Sequence, residues 1–313
     1  LFIVKVWPVI DPAHPLSIVG FLGISYVTFK VVSTLMEIRD GLIKELPLKE
    51  FLYFLYFYPT ISSGPIDRFR RFKKDLDKPV DPQKYVKLLK NGIQNIFQGF
   101  LYNFIIGYFI QHLWLHRAAI IFTRTPDFSS GLSATYAYGL YLFFNFAGYS
   151  LFAVGVSQLM GVETPMNFNK PFLAKNIKDF WNRWHMTLCN WFRDFVFMRL
   201  VKTMMTKKFT KSMITMSVIA NLALFGLMGF WHGFAWFYIV YGFYHASLMI
   251  GYEAWDRFKK KHKLKIPNVW WTKGLSIFIT LQFVLLGFLI FSGLLNNMIM
   301  YHATLDRLFI PNF

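Results

Sequence analysis

Sulfur and acid are what this chain is short of. A single cysteine, Cys189, stands among 313 residues, which rules out a disulfide within the chain and leaves no metal-ligand cysteine pattern. Aspartate and glutamate number 16 against 34 lysines and arginines, a formal net charge of +18. Such an excess could serve nucleic acid, but no amphipathic face gathers it, so nucleic acid is not the expected partner. A phosphate-cradling glycine loop, a Ser/His/Asp set and a paired-carboxylate site are all missing. Internal repeats, low-complexity tracts and interdomain linkers are missing too. The chain opens at Leu1 with no charged n-region leading to a cleavage site, so it shows no signal peptide, and native residues are expected to precede it.

What is there is apolar: 55% of the residues are hydrophobic and 20% aromatic, with a mean hydropathy of +0.37. These residues fall in long blocks, several reaching the roughly 20 needed to cross hydrocarbon as a helix. The blocks predict membrane helices over 16–36, 85–112, 132–160, 213–230, 234–253 and 269–292. Residues 51–61 are too few to span upright and end at Pro59 and the turn Ser62-Ser63-Gly64-Pro65, which predicts a partial or re-entrant helix. Residues 184–201 read as an amphipathic helix near an interface. The expected fold is an all-α, polytopic membrane protein with one domain over 1–313.

Charge sets the topology. Of the 34 basic residues, 25 lie in 63–90, 161–211 and 257–265, while the intervening connectors carry few or none. Such alternation places the three basic stretches in the cytosol and the connector around His232 toward the far leaflet. The segment 213–230 is roughly 27 Å long as a helix, nearly a full hydrocarbon thickness.

Two polar clusters interrupt the apolar sequence. In the first, Lys178 to Trp191, helical spacing puts Arg183, Thr187, Asn190 and Asp194 on one stripe and His185 away from it, beside Cys189 and Phe192. The second is Gly229-Phe230-Trp231-His232-Gly233-Phe234, where the glycines permit close backbone approach and a sharp reversal. Imidazole suits proton removal from a hydroxyl near neutral pH, and it also serves as an interfacial or core hydrogen-bonding group. His112 and His116 have zinc-pair spacing but no third ligand, and are read as marking a helix end. His245 is read as an internal hydrogen-bond partner, and Cys189 as packing rather than as a nucleophile.

The run Asp179-Phe180-Trp181-Asn182-Arg183-Trp184-His185-Met186-Thr187-Leu188, with Trp191 and Arg193-Asp194, resembles the central signature of the membrane-bound O-acyltransferase family. The preceding Pro165-Met166-Asn167-Phe168-Asn169-Lys170-Pro171-Phe172 resembles the approach to it. Gly229 to Gly233, then Tyr241-Gly242-Phe243-Tyr244-His245, resembles the second signature, and Tyr58 to Arg68 a third element. Within the family, residues 62–71 and 191–202 most resemble the branch that D-alanylates teichoic acids in Gram-positive bacteria.

The resemblance implies a multi-pass protein of the cell membrane that moves D-alanine from the phosphopantetheine thioester of an acidic carrier protein. The acceptor would be a hydroxyl of teichoic acid or an intermediary, and no tightly bound cofactor is needed because the carrier supplies the arm. It implies catalytic roles for His232 and His185, with Asn182, Asn190 and Trp231 positioning the thioester or the oxyanion. Phe197, Met198, Arg199, Val201 and Lys202 form an apolar patch with a basic rim that suits an acidic helical carrier. Acetyl-CoA-dependent acetylation of an exported polysaccharide, a transporter or flippase without chemistry, and a carrier-recruiting scaffold are the other readings. The blocks 132–160 and 213–230 contain no Asp, Glu, Lys or Arg, which counts against a proton-coupled transporter.

Overall fold

The computed structural model describes residues 24–309 except 63, 79, 80, 265, 266 and 268, and all regular structure among them is helical. In chain order the helices are α1 Ile24–Arg39, α2 Leu48–Leu55, α3 Phe69–Asp77, α4 Pro82–Phe100, α5 His116–Arg124 and α6 Phe128–Leu159. After them come α7 Ile177–Trp181, α8 Met186–Phe192, α9 Met198–Thr206, α10 Met213–His232, α11 Trp236–Lys261, α12 Trp270–Phe291 and α13 Leu294–Phe309. Among the described residues, four helical runs are long and apolar enough to cross a bilayer: Pro82–Arg124, Phe128–Leu159, Met213–His232 and Trp270–Phe291. The chain is a multi-pass helical membrane protein, as its composition predicts. Residues 16–23 of the first expected span, and Ser63 of the expected turn, lie outside the described residues.

Two compact units emerge. The first comprises Leu1–Asn103, Phe146–Asn169 and Asn182–Lys207; the second comprises Phe104–Asn145, Lys170–Trp181 and Lys208–Phe313.

In the first unit, the expected partial helix is the eight-residue α2, followed by a 3-10 turn, Tyr58–Thr60, built on Pro59. Its Phe54 packs with Phe69 and Phe72 of α3, ring centroids 5.7 and 5.5 Å away. A charge that the apolar run concealed is buried here. Lys30 of α1 donates to the Phe54 carbonyl and to Thr60 Oγ1, both at 3.0 Å, and is only 1% exposed. Such pairing is what makes an ammonium tolerable in an apolar interior. α4 meets α6 through four glycines: a Cβ on Gly92 or Gly99 would come within 2.9 Å of the carbonyl oxygens of Gly155 and Gly148 respectively. Small residues let two membrane helices approach to backbone contact, and Asn95 adds a hydrogen bond to Gln158 at 2.9 Å.

The span expected over 85–112 is much longer. From α4 the helix continues through π-helical turns, Leu101–Gly107 and Ile110–Leu115, into α5, a run of 43 residues. It stops at Thr125, before Pro126, where the ring forbids continuation. His112 and His116 therefore sit inside a helix rather than at its end, and the His112 ring packs on Tyr108 at 4.2 Å. Most of this run faces outward, with Phe97 72% and Leu113 71% exposed, as a lipid-facing helix requires.

In the second unit, α10 and α11 form a tight antiparallel pair. A Cβ on Gly229 would lie 2.5 Å from the Tyr238 carbonyl oxygen, and one on Gly242 would lie 2.4 Å from that of Phe225. α11 runs on past the expected end at 253, carrying Asp256, Arg257 and three lysines to Lys261. α13 was not expected as a separate element.

Candidate active site

His185 does not lie on a helical face. The helix expected over 184–201 begins two residues late, at Met186, and His185 caps it in the left-handed region with φ 42°. Downstream, the helix passes through a π-helical turn, Arg193–Phe197, before α9. The left-handed turn removes Arg183 from the stripe with Thr187 and Asn190, and it directs the imidazole into the first unit. There His185 is 5% exposed, with Phe146 edge-on at 4.7 Å. Its Nδ1 lies 3.3 Å from Asn167 Oδ1, which also accepts the Thr187 hydroxyl at 2.6 Å. That hydroxyl in turn accepts the Ile66 backbone N–H at 3.0 Å, tying the site to the segment that follows the Gly64-Pro65 turn.

An amide oxygen can only accept, so this arrangement places the proton of a neutral imidazole on Nδ1 and leaves Nε2 with its lone pair. Burial pushes the His185 pKa down to about 3, so the ring is neutral at ordinary pH. Asn182 and Asn190, expected beside the imidazole, are exposed. Asn167 was not singled out in the sequence, although it lies in the Pro165–Phe172 approach; it is fully buried. Cys189 donates from Sγ to the Trp184 carbonyl at 3.2 Å, and burial pushes its thiol well above the ordinary range, as suits a packing role.

The expected docking segment also belongs to the first unit. Met198 is 54% exposed and Lys202 is exposed one turn on, while Phe197 and Val201 are half-buried. Arg199 turns inward: it pairs with Asp40, and its guanidinium lies 5.3 Å from the Phe195 ring centroid. That hydrogen bond holds the Asp40 carboxyl below its usual range. Beside it, Arg68 bonds Asp194 at 2.7 Å and sits 4.4 Å over Phe195. Arg68 and Arg70 also share the buried Glu37, at 3.4 and 3.2 Å.

His232 stands in the second unit as the last residue of α10, not in a connector after it. Its half-buried ring meets Phe291 edge-on at 4.8 Å, Trp231 at 4.5 Å and Tyr238 and Tyr241 at 6.1 and 6.3 Å. The glycine contacts of α10 and α11 hold this aromatic frame. One turn beyond Tyr241, His245 is wholly buried against Trp181, at 5.0 Å, and Tyr241, at 4.6 Å. It is not the internal hydrogen-bond partner expected: neither of its ring nitrogens, nor Trp181 Nε1, has a hydrogen-bond partner among the described residues. Rings and Gly287 surround it on the sides that a polar partner would occupy. His185 and His232 thus belong to different units.

The profile of the membrane-bound O-acyltransferase family matches residues 7–292, and the chain belongs to that family. Acyl transfer to oxygen is accordingly its class of chemistry. It is 53% identical over 298 residues to the teichoic acid D-alanyltransferase of Bacillus subtilis, covering 94% of this chain and 75% of that protein. Against the teichoic acid D-alanyltransferase of Streptococcus thermophilus it is 45% identical over 313 residues, covering 95% and 74%. A probable alginate O-acetylase of Pseudomonas aeruginosa is 30% identical over 231 residues, covering 72% of this chain and 41% of that protein.

Proposed function

We propose that this chain moves a D-alanyl group from the phosphopantetheine thioester of an acidic carrier protein to a hydroxyl beyond the membrane, in teichoic acid D-alanylation. The likeness to teichoic acid D-alanyltransferases over three quarters of their length supports this donor and acceptor. The single observation that carries the chemistry is His232, half-buried at the end of a membrane-spanning helix in a frame of aromatic rings.

His232 takes the proton of the acceptor hydroxyl as its oxygen attacks the thioester carbon. A C–O bond forms, the C–S bond breaks, and the proton passes to the departing thiolate of the arm. No nucleotide is consumed, because the thioester is already activated. His185, neutral and with the proton on Nδ1 facing Asn167, is assigned to positioning the donor. Trp231, packed on the His232 ring, orients the base. The exposed face of α9, with Met198 and Lys202, receives the carrier, whose negative charge speeds encounter with the basic side.

The test is a reconstituted assay with labelled D-alanyl carrier. Label should leave the carrier in the presence of the wild-type chain and remain on it with His232→Ala, while carrier binding persists. Transfer retained by that variant would remove His232 from the chemistry. Offering acetyl-CoA in parallel separates this reading from polysaccharide acetylation, which the weaker likeness to the alginate O-acetylase represents.

A further inference from the structure

The second unit carries a cavity on the same two helices as the rings around His232, α11 and α12, but displaced toward the basic end of α11 and different in chemistry. On α11, Leu248, Tyr252, Trp255 and Lys259 recur every three or four residues, and on α12 Ser276, Ile279 and Phe283 do the same. These two stripes wall a cavity of about 570 Å³, with Lys175 at its border. That volume falls in the range of ordinary ligand sites. Its floor is open: a Cβ built on Gly251 would meet no atom within 4 Å.

The cavity is polar at one end and apolar along its length. Lys259 is the first of three successive lysines at the basic end of α11, where positive charge marks one face of the membrane. Asp256 is shared between Lys259 at 3.4 Å and Lys260 at 2.8 Å, so one carboxylate serves two ammonium groups and the end stays cationic. From Lys259 to Leu248 is a helical distance of roughly 16 Å, about half the hydrocarbon thickness and so the depth of one leaflet. Trp255 lies near the charged end, where amphipathic rings favour the headgroup level. Phe283 and Trp255 are each 47% exposed, so a bilayer lipid can reach the cavity from the surface of the molecule.

We infer that this groove holds one anionic phospholipid of the leaflet on the basic side, its phosphate between Lys175 and Lys259 and one chain along Leu248, Ile279 and Phe283. The cations supply head-group selectivity, and the apolar stripe supplies the seat for the chain.

The experiment uses the full chain purified in neutral detergent, titrated with phosphatidylglycerol, phosphatidylcholine or inorganic phosphate and read by native mass spectrometry. Phosphatidylglycerol should bind in preference, one per chain. Charge removal in the double variant Lys175→Gln/Lys259→Gln should weaken it by about 30-fold, from two lysines each worth about fivefold. Gly251→Phe should displace it while leaving both lysines in place; Ile279→Trp, which fills the groove from α12, serves the same purpose if the glycine variant folds poorly. Equal binding of phosphatidylcholine, unchanged binding in all variants, or inorganic phosphate binding as well as the lipid would each overturn the assignment.

Discussion

The surroundings of His185 and His232 are built from different materials. His185 rests on a chain of hydrogen bonds, Asn167 to Thr187 to the Ile66 backbone, that fixes one ring nitrogen and one tautomer. His232 is held by Phe291, Tyr238 and Tyr241, supported by glycine-mediated contact of α10 with α11. The amide contact specifies which nitrogen of His185 carries its proton, while the ring contacts around His232 specify where its imidazole stands.

That contrast can be broken. Replacing His232 by alanine should cost roughly 10²- to 10⁴-fold in transfer, the span of general-base contributions, with little change in melting temperature. His185→Asn, which tolerates the left-handed backbone, should cost clearly less; an equal loss would mean that both rings share the proton transfer. Next in size, Gly242→Leu drives a side chain into the Phe225 carbonyl and should destabilise the protein by about 1–3 kcal/mol, measured as a fall in midpoint in detergent. Asn167→Ala leaves the Thr187 hydroxyl and His185 Nδ1 without their acceptor, at about 1–3 kcal/mol. It should also slow transfer, because the His185 tautomer is no longer set.

A pH series sharpens the same point. Burial holds the folded His185 pKa near 3, whereas the unfolded chain titrates near 6.5. Between those values the unfolded chain binds the extra proton, so this contribution to stability is complete above pH 6.5 and is lost as pH falls toward 3. The melting temperature should decline on acidification, and less steeply in His185→Asn; identical slopes would show that other groups set the trend. The smallest effect on stability belongs to Met198→Asp on the exposed face of α9, which should leave melting almost unchanged and weaken carrier capture in a pull-down.

Much of this could be read from residue order. Apolar block length located α6, α10 and α12 to within a few residues, because a helix in hydrocarbon must satisfy its own backbone and so declares its length. The two His-bearing signatures carried the family. What escaped depends on contacts distant in sequence or on a single dihedral. Nothing in Trp184-His185-Met186 announces a left-handed residue, so the sequence pattern runs the helix through His185 and places Asn182 and Asn190 beside the imidazole. Asn167 reaches His185 only through the fold. Lys30 disappeared into an apolar run because its partners, the Phe54 carbonyl and Thr60, lie on other elements. The glycines of α4 and α6 are seven residues apart on each helix, a repeat that was present but weighed too little.

The 43-residue run from Pro82 to Arg124 has one further implication. At about 1.5 Å per residue it reaches roughly 65 Å, twice what hydrocarbon needs, so it must slant or emerge. Each π-helical turn takes up a residue beyond the α count and rotates everything after it. The same rod meets α6 with two sets of residues: Gly92 and Gly99 against Gly155 and Gly148, and Ala118 and Phe122 against Ala134 and Ala137.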